Sequence, residues 1–486
     1  MEETSPPNKH LFSPVERPPV LTSFNENSTL NFLQVEVDCY VPPEYENDNI
    51  IYRIYGVTEN HNSIMVHVHG YLHYLFVKCP KEFNKSADSL KEFMEFLNGK
   101  LAEIQESEPK GTVVKIIHDQ KGRTYSAKVN RLDPHLKLYV SHHKTIEDLK
   151  ILFEKGIKFK EVQFSTQTTY SAYEPTISFM SDIKMRGMSW ISLNPGTFRI
   201  RSPEEKASTC QIEIDTDISS LTVLPPPKGE WIKNVPLRIL SFDIEVETVM
   251  KEGFPSAEKR PVIQISSILR YYPAGNFLCK KIFTLNTCSD IEGAEVHSFP
   301  TEAQMLEEWR NLIKYYDPDI ITGWNIKGFD FRYVLKRAEV LKLKDYFIGR
   351  TKTQKLPSHQ DPKEHGLYGR VVLDMGYLTR RDYKEELLRG GSLNKVSHHF
   401  LNDKKEDVKY EELYDLQHGD AETRKKIATY CIKDSMLPIQ LMEKLAVMKK
   451  YIDKARGYYQ PFQFQFINQA QNFWRERSRT AMVTDR

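Results

Sequence analysis

The chain of 486 residues lacks both an excess of charge and a long apolar run. Its 68 Lys and Arg residues nearly balance 66 Asp and Glu residues, so the formal net charge is only +2. Bulk charge therefore does not indicate a nucleic-acid partner, and any such surface must be a local basic patch. No run of about 18 apolar residues occurs, so no membrane contact is expected. The first residues are polar and are not expected to act as a secretory signal.

Cysteine is scarce, and its spacing is uninformative about metal binding. The six cysteines are Cys39, Cys79, Cys210, Cys279, Cys288 and Cys431. None forms a C-x-x-C pair, so neither a zinc site of that kind nor a disulfide framework is expected, and a reducing compartment is the simpler interpretation. His67, His69 and His73 have no acidic or cysteine partner close in sequence, which favours ordinary strand histidines over a metal site.

Proline-rich segments divide the chain into predicted domains. Residues 1–28 are polar and proline-rich and are expected to be disordered. A linker is predicted at 221–236, which contains three consecutive prolines. Short β-rich runs before the linker predict a β-rich α+β amino-terminal domain at 29–228. Alternating strands and helices after it predict an α/β domain at 229–450, and a divergent tail is predicted at 451–486.

Local signals predict several helices. Stretches near 86–107 and 145–156 have helical patterns. The clearest helix begins at Thr301, which forms a capping box with Gln304. Its apolar stripe, expected in a core, is Met305, Leu306, Trp309, Leu312 and Ile313. Pro438 is predicted to end one helix and begin another, because proline lacks a backbone N–H.

Two carboxylates lie in an apolar strand. Residues 237–246 (LRILSFDIEV) predict a strand, and side chains two apart in a strand share a face. Asp243 and Glu245 therefore point the same way. The intervening apolar side chains point into a core on the other face; they are Phe242, Ile244 and Val246.

Two further acidic clusters follow. The apolar strand in DPDIITGW leads into a turn at Gly323, after which come Asn325 and Asp330. Tyr430 and Asp434 are four residues apart in a helical pattern, so they share a helix face.

Carboxylates on apolar strands and helices need a positively charged partner, because burial destabilises an unpaired charge. A pair of divalent cations such as magnesium, roughly 4 Å apart, would supply one and would clamp the attacking and leaving oxygens of a phosphodiester. Each cluster alone has an ordinary interpretation: a solvated pair, a helix cap or a surface pair. The three clusters together favour a two-metal nuclease.

The three clusters resemble the proofreading exonuclease motifs of B-family DNA polymerases, most closely those of delta-type members. Residues 242–245 match the first motif, the stretch from Asn325 to Asp330 matches the second, and Tyr430 with Asp434 matches the third. The resemblance implies a ribonuclease H-like fold and a site that uses two Mg (or Mn) ions. It implies metal-site roles for Asp243, Glu245, Asp330 and Asp434, a water-orienting role for Tyr430, and contacts to the terminal nucleotides from Asn325 and Phe329.

The resemblance covers roughly residues 30–456 and has two departures. Trp324 and Gly328 stand where the delta-type motif usually has Tyr and Asn. Segments like the polymerase motifs DxxSLYPS and YGDTDS are absent from the 486 residues. Past residue 456 the pattern fades, and the expectation is a premature end, an alternative transcript or a gene-model artefact.

The expected activity is metal-dependent 3′-to-5′ hydrolysis at a frayed DNA primer end, as proofreading in nuclear replication. Asp243, Glu245 and Asp434 would hold the metals, and Asp330 would complete the second ion's environment through water. DNA is the expected partner, and polymerase accessory subunits are possible partners. Two alternatives stay open. One is a free-standing nuclease of the same fold, and the other is a catalytically idle DNA-binding or assembly subunit.

Overall fold

The structure is a computed structural model that describes most of the chain. The described residues are 16–41, 50–105, 110–119, 134–164, 169–171, 175–225, 235–249, 253–273, 275, 277–351, 367–386, 391–403, 408 and 412–466. Parts of three predicted segments lie outside the described residues: 1–15 of the disordered segment, 226–234 of the linker and 467–486 of the tail.

Nineteen strands and ten helices are assigned in the described residues. The strands are β1 (Leu30–Tyr40), β2 (Ile51–Thr58), β3 (Ser63–His69), β4 (Tyr74–Lys78), β5 (Val113–Asp119), β6 (His135–Val140), β7 (Ile157–Phe159), β8 (Val162–Phe164), β9 (Thr169–Ser171), β10 (Trp190–Leu193), β11 (Phe198–Ile200), β12 (Ile212–Asp217), β13 (Thr222–Val223), β14 (Leu237–Val246), β15 (Val262–Tyr272), β16 (Phe277–Leu285), β17 (Glu295–Phe299), β18 (Ile320–Gly323) and β19 (Val371–Asp374). The helices are α1 (Ala87–Ile104), α2 (Thr145–Lys155), α3 (Pro175–Asp182), α4 (Glu302–Tyr316), α5 (Asp330–Val340), α6 (Met375–Asp382), α7 (Leu393–Leu401), α8 (Leu413–His418), α9 (Ala421–Lys444) and α10 (Val447–Ala455).

The amino-terminal half is built on two main sheets. A seven-stranded sheet has the order β11-β12-β3-β2-β1-β10-β13, and a four-stranded sheet has the order β5-β6-β4-β9. Apolar side chains of α1 and α2 pack against the four-stranded sheet in one core cluster. Tyr71 and Tyr74 are buried in a second core cluster. The region is therefore β-rich with a few helices, as predicted.

The second half is built on a six-stranded mixed sheet with the order β17-β16-β15-β14-β18-β19. β14, β15 and β16 pair antiparallel, whereas β18 and β19 run parallel to β14. This mixed α/β sheet is consistent with the ribonuclease H-like fold that the resemblance implies. Even-numbered residues of β14 pack with α4 and α5 in one cluster. The odd-numbered face meets α9.

The local predictions for α4 hold. Thr301 is its N-cap, and the Thr301 hydroxyl accepts a hydrogen bond from the backbone N–H of Gln304 at 3.3 Å. The apolar stripe of α4 packs beside Phe242 in the same core cluster. This cluster buries the face of β14 opposite to Asp243, as the alternation predicts.

The prediction that Pro438 separates two helices is wrong. Pro438 lies inside α9, which continues to Lys444. A proline in a helix interior costs about 3 kcal/mol through a lost hydrogen bond and a clash. Burial of the surrounding apolar side chains, including Leu437, Ile439 and Leu441, offsets that cost.

Buried side chains lie within two of the segments that were predicted to flank the domains. In the segment predicted to be disordered, Arg17 is buried and donates to Asp317. The predicted boundary at residue 450 falls within α10, and beyond that helix Tyr459, Phe462 and Phe466 are buried in core clusters. These contacts join segments far apart in sequence, so no local pattern signals them.

Candidate metal centre

Three parallel strands end at one edge of the second sheet, and acidic residues lie at each end. Asp243 and Glu245 are near the end of β14, Asp330 follows β18, and Asp374 closes β19. The carboxyl edge of such strands is where α/β proteins usually build binding sites. The fold thus brings together acids that are separated by up to about 130 residues in sequence.

Asp243, Glu245 and Cys431 form a possible metal-ligand group. One ligand atom from each lies within 4.8 Å of the others. In the described part of the chain, no other set of three or more His, Cys, Asp or Glu side chains meets this criterion. Magnesium takes oxygen ligands at about 2.1 Å, so ligands on opposite sides are about 4.2 Å apart. The two carboxylates therefore fit the shell of one hard cation.

The thiol of Cys431 contacts both the backbone and the side chain of Asp243. Its Sγ is 3.5 Å from the backbone oxygen of Asp243 and 3.7 Å from Oδ2 of the same residue. Burial raises the pKa of Cys431 well above its usual value, and the charges of Asp243, Glu245 and Asp434 act in the same direction. The thiol therefore remains protonated at neutral pH and can donate to Asp243.

Small hydroxyl side chains hold α9 against the sheet. The Ser241 hydroxyl donates to the backbone oxygen of Ser435 at 2.7 Å, and the Ser266 hydroxyl donates to the backbone oxygen of Cys431 at 2.8 Å. The hydroxyls of Ser266 and Ser435 also contact each other. Because these residues are small, the helix approaches β14 and β15 closely. This contact brings Asp434 to the acidic site.

Asp330 is a buried member of the acidic cluster. Only 2% of the residue is exposed, and Oδ1 accepts a hydrogen bond from the backbone N–H of Ile244 at 3.2 Å. Burial raises the pKa of Asp330 to about 7, and the negative charges of Asp374 and Asp434 contribute to the rise. A cation bound in this cluster would relieve that repulsion.

Asn325 lies in the turn that leads to Asp330. Its backbone has a left-handed φ of 61°, a conformation in which asparagine is enriched. Its backbone oxygen accepts from the N–H groups of Gly328 and Phe329 at 2.9 and 3.0 Å. A Cβ at Gly328 would lie 2.5 Å from Oδ1 of Asn325, so glycine lets the Asn325 side chain lie across this turn.

Phe329 is half-buried and belongs to a short row of aromatic rings. Its ring centroid is 5.3 Å from that of Tyr333 and 5.5 Å from that of Phe254. Phe254 is 76% exposed. The row gives an apolar surface beside Asp330, and such a surface suits a nucleobase.

Tyr430 is half-buried on α9, four residues before Asp434. The structure thus brings Asp243, Glu245, Asp330 and Asp434 to one region, with Tyr430 on the helix that supplies Asp434. Asn325 and Phe329 lie on the adjoining turn.

Sequence reasoning missed two residues of this region, Cys431 and Asp374. Asp374 ends the apolar strand VVLD, much as Asp243 follows an apolar run, and this similarity could have singled it out. Cys431 is adjacent to Tyr430 in sequence, but its proximity to Asp243 depends on the packing of α9.

The histidines of β3 make structural contacts. His67 Nε2 and His69 Nε2 lie 2.9 Å from carboxylate oxygens of Glu213 and Asp215, respectively, on the neighbouring strand β12. His67 Nδ1 also contacts the hydroxyl of Tyr40 at 2.9 Å. Strand pairing, rather than sequence proximity, supplies these acidic partners.

None of the helices in the described ranges is long and apolar enough to cross a membrane.

Comparison with known proteins gives one consistent family. Residues 168–396 match the family described as DNA polymerase family B, exonuclease domain. This range contains Asp243, Glu245 and Asp330 and ends before Tyr430 and Asp434.

Two similar relatives are DNA polymerase delta catalytic subunits. The protein of Candida albicans is 34% identical over 461 residues, which are 92% of this chain and 41% of that protein. The protein of Drosophila melanogaster is 33% identical over 477 residues, which are 93% of this chain and 43% of that protein. The chain therefore spans about two fifths of the length of these relatives.

A solved structure has a similar fold. The family B DNA polymerase from Pyrobaculum calidifontis aligns with a TM-score of 0.61 and 16% identity, over 89% of this chain and 48% of that chain. At this identity the similarity supports the fold alone.

Proposed function

We propose that this chain belongs to DNA polymerase family B and that it is the proofreading 3′-to-5′ exonuclease portion of a delta-type replicative DNA polymerase. The observation that carries the proposal is the convergence of Asp243 and Glu245 with Asp330 and Asp434 at one edge of the sheet. The substrate is the terminal phosphodiester of a DNA primer, and the products are a mononucleotide and a primer shorter by one residue.

The cofactor proposed for this site is a pair of magnesium or manganese ions. Bound there, such ions supply a hydroxide near neutral pH and stabilise the departing 3′ oxygen. Asp243, Glu245 and Asp434 would hold them, and Asp330 would contribute through water. The donor set supports this assignment, because carboxylate oxygens are the ligands that magnesium prefers.

The chain's own groups would orient the reactants. The hydroxyl of Tyr430 is assigned to the attacking water, which it can hold by hydrogen bonding. Asn325 and Phe329 are assigned to the terminal nucleotides, the first by polar contact and the second by stacking on the base. The half-buried position of Phe329 beside exposed Phe254 supports the stacking role.

Selectivity for mismatched primer ends does not require recognition of base identity. The primer end must unpair to reach the acids, and unpairing costs less at a mismatch, with differences of a few kcal/mol at most. Frayed or single-stranded DNA is therefore the proposed partner. Polymerase accessory subunits and a nuclear location are further proposals that follow from the delta-type relatives.

The experiment that tests the proposal is release of mononucleotides from a 3′-mismatched DNA primer in the presence of Mg²⁺. The wild-type chain should release nucleotides one at a time, and chelation by EDTA should stop the reaction. The double variant Asp243→Ala with Glu245→Ala should lose at least about 1,000-fold in rate, since two-metal sites supply much of the barrier reduction. A matched control changes two exposed acids on α1 and α2, Glu103→Ala with Glu147→Ala, and should keep the wild-type rate.

The outcomes separate the two alternatives. Equal inactivity of wild type and double variant, with DNA binding retained in both, would favour an idle binding or assembly subunit. Faster cleavage of RNA than of DNA would favour a free-standing nuclease of the same fold.

A further inference from the structure

We propose that Asp374 is a positioning residue that holds the turn carrying Asn325, Phe329 and Asp330 in its working geometry. This inference rests on the proposed function, in which those three residues serve the substrate and metals. Asp374 is 3% exposed and stands at the end of β19, beside β18, whose end begins the turn. Its carboxylate contacts two separate backbone segments.

The first of these segments is the turn after β18. Asp374 Oδ1 accepts from the backbone N–H of Asn325 at 3.0 Å, and Oδ2 accepts from the backbone N–H of Lys327 at 3.1 Å. Both carboxylate oxygens are therefore directed at one short turn. A carboxylate that accepts two backbone N–H groups restrains that backbone through charge-assisted hydrogen bonds.

The second segment is the start of α6. Asp374 is the N-cap of this helix, and Oδ1 also accepts from the backbone N–H of Tyr377 at 3.0 Å. An ordinary N-cap needs one acceptor oxygen for its own helix. The contact between Oδ2 and Lys327 exceeds that need, because Lys327 belongs to a different element.

The start of α6 also packs closely against the turn. A Cβ added at Gly376 would lie 3.0 Å from the backbone nitrogen of Asn325 and 3.3 Å from the Trp324 ring. The start of α6 therefore lies against the turn with little intervening space. Asp374 fixes the direction of this contact, and the turn then leads directly into Asp330 at the start of α5.

The carboxylate also lies within electrostatic reach of Asp330, since its charge is among the causes of the raised pKa there. The same side chain therefore restrains the turn and adds negative charge to the acidic region. A role limited to charge would not require the backbone hydrogen bonds. The experiment therefore separates the effect of the negative charge of Asp374 from the effect of its hydrogen bonds to the turn.

The experiment compares three variants of the full chain. Asp374→Ser keeps one shorter acceptor oxygen that can cap α6, and it removes the carboxylate that accepts from Asn325 and Lys327. Asp374→Asn keeps one acceptor oxygen and removes the charge. Thr301→Ala removes the N-cap of α4 and is the matched control, because Thr301 caps a helix without contacting the turn.

The first measurement is hydrogen exchange of backbone amides, followed by mass spectrometry of peptides that cover residues 323–331. Exchange at Asn325 and Lys327 should rise at least about tenfold in Asp374→Ser and remain at the wild-type level in Thr301→Ala. In Asp374→Asn exchange should rise mainly at Lys327. This readout requires no catalysis, so it tests the proposal even if the proposed nuclease activity is not found.

The second measurement is kcat/KM for nucleotide release from a 3′-mismatched primer. Asp374→Ser should lose about tenfold or more, because small displacements of catalytic groups can cost up to about 100-fold. Asp374→Asn should recover part of that loss. Thr301→Ala should stay within about twofold of wild type despite a comparable fall in Tm. Wild-type exchange at Asn325 and Lys327 in Asp374→Ser, or equal kcat/KM in Asp374→Ser and Thr301→Ala, would overturn the proposal.

Discussion

Two buried aspartates show how neighbouring charges determine the behaviour of a carboxyl group. Asp330 lies among other acids, and burial raises its pKa to about 7. Asp317 is equally buried, but the guanidiniums of Arg350, Arg17 and Arg370 outweigh burial and hold its pKa well below the usual value. Asp330 is therefore surrounded by like charges, whereas Asp317 is paired with three cationic side chains.

Histidine burial in the amino-terminal half has a testable consequence for pH. His73 is buried, with its ring stacked on Tyr52 and edge-on to Tyr71. Burial lowers the pKa of His73 to about 3, and the nearby His143 and His142 act in the same direction. His143 also has a pKa lowered to about 4, chiefly by burial.

Stability should therefore fall as pH decreases from about 6.5 towards 4. The unfolded chain binds protons at these histidines near pH 6.5, whereas the folded chain keeps them neutral until much lower pH. Protons thus favour the unfolded state, by up to about 1.4 kcal/mol per pH unit for each histidine. Urea denaturation between pH 4 and 7 measures this slope, and His73→Phe should make it shallower.

The control for this slope is His418→Gln, because the His418 side chain is 49% exposed. In His418→Gln the free energy of unfolding should depend on pH as it does in wild type. An equal slope in wild type and His73→Phe would show that His73 does not contribute to the acid sensitivity.

At the scale of elements, local patterns predicted much of the fold. The bounds predicted for β14 are those observed, and Thr301 caps α4 as its capping box indicates. Both signals depend on neighbouring residues alone. The continuous helix through Pro438 depends instead on burial against the sheet, so the local rule gave the wrong answer there.

The candidate site was predictable only in part for the same reason. Alternation along β14 gave the shared direction of Asp243 and Glu245, and helical spacing linked Tyr430 to Asp434. The contact of Cys431 with Asp243 depends on where α9 rests on β14 and β15. The contacts of Asp374 with the turn after β18 depend on the pairing of β18 with β19. A single sequence does not specify such pairings.

The close contact of β18 with β14 can be tested at Gly323. A Cβ there would lie 2.6 Å from the backbone oxygen of Phe242, the residue before Asp243, and 2.5 Å from Ile326. Gly323→Ala should therefore displace the strand end and destabilise the chain by about 1–3 kcal/mol, as overpacking usually does. Urea denaturation measures the loss, and kcat for nucleotide release should fall with it.

Gly99→Ala is the matched control for this substitution. Gly99 lies in α1, and a Cβ there meets nothing within 4 Å. It should stabilise the chain by about 0.5–1 kcal/mol through helix propensity. A Gly323→Ala variant as stable and active as wild type would contradict the tight contact between the strand ends.

At the scale of the whole molecule, a buried ionic cluster joins the amino-terminal segment to the second sheet. Arg17 donates to Asp317 at 2.9 Å and to Asp319 at 2.6 Å, and it also donates to the backbone oxygen of His61. Arg350 and Arg370 contact the same Asp317 from the second half of the chain. The aspartates precede β18, so the cluster holds the opposite end of the strand that leads to the candidate site.

Because three guanidiniums share the carboxylate of Asp317, we expect Arg17→Ala to destabilise the chain less than Asp317→Ala does. Three guanidiniums surround Asp317, so Arg17→Ala leaves that carboxylate paired with Arg350 and Arg370. Its expected cost is about 1.5–3 kcal/mol, the usual range for lost hydrogen bonds to charged groups. Asp317→Ala removes the shared anion and leaves buried cations short of a partner, which should cost about 3–5 kcal/mol.

Urea denaturation measures the free energy of unfolding of both variants. The control is Lys449→Ala, which breaks an exposed pair with Asp453 and should cost less than about 1 kcal/mol. If Arg17→Ala proved as costly as Asp317→Ala, the amino-terminal segment would be holding the two halves together by more than its charge.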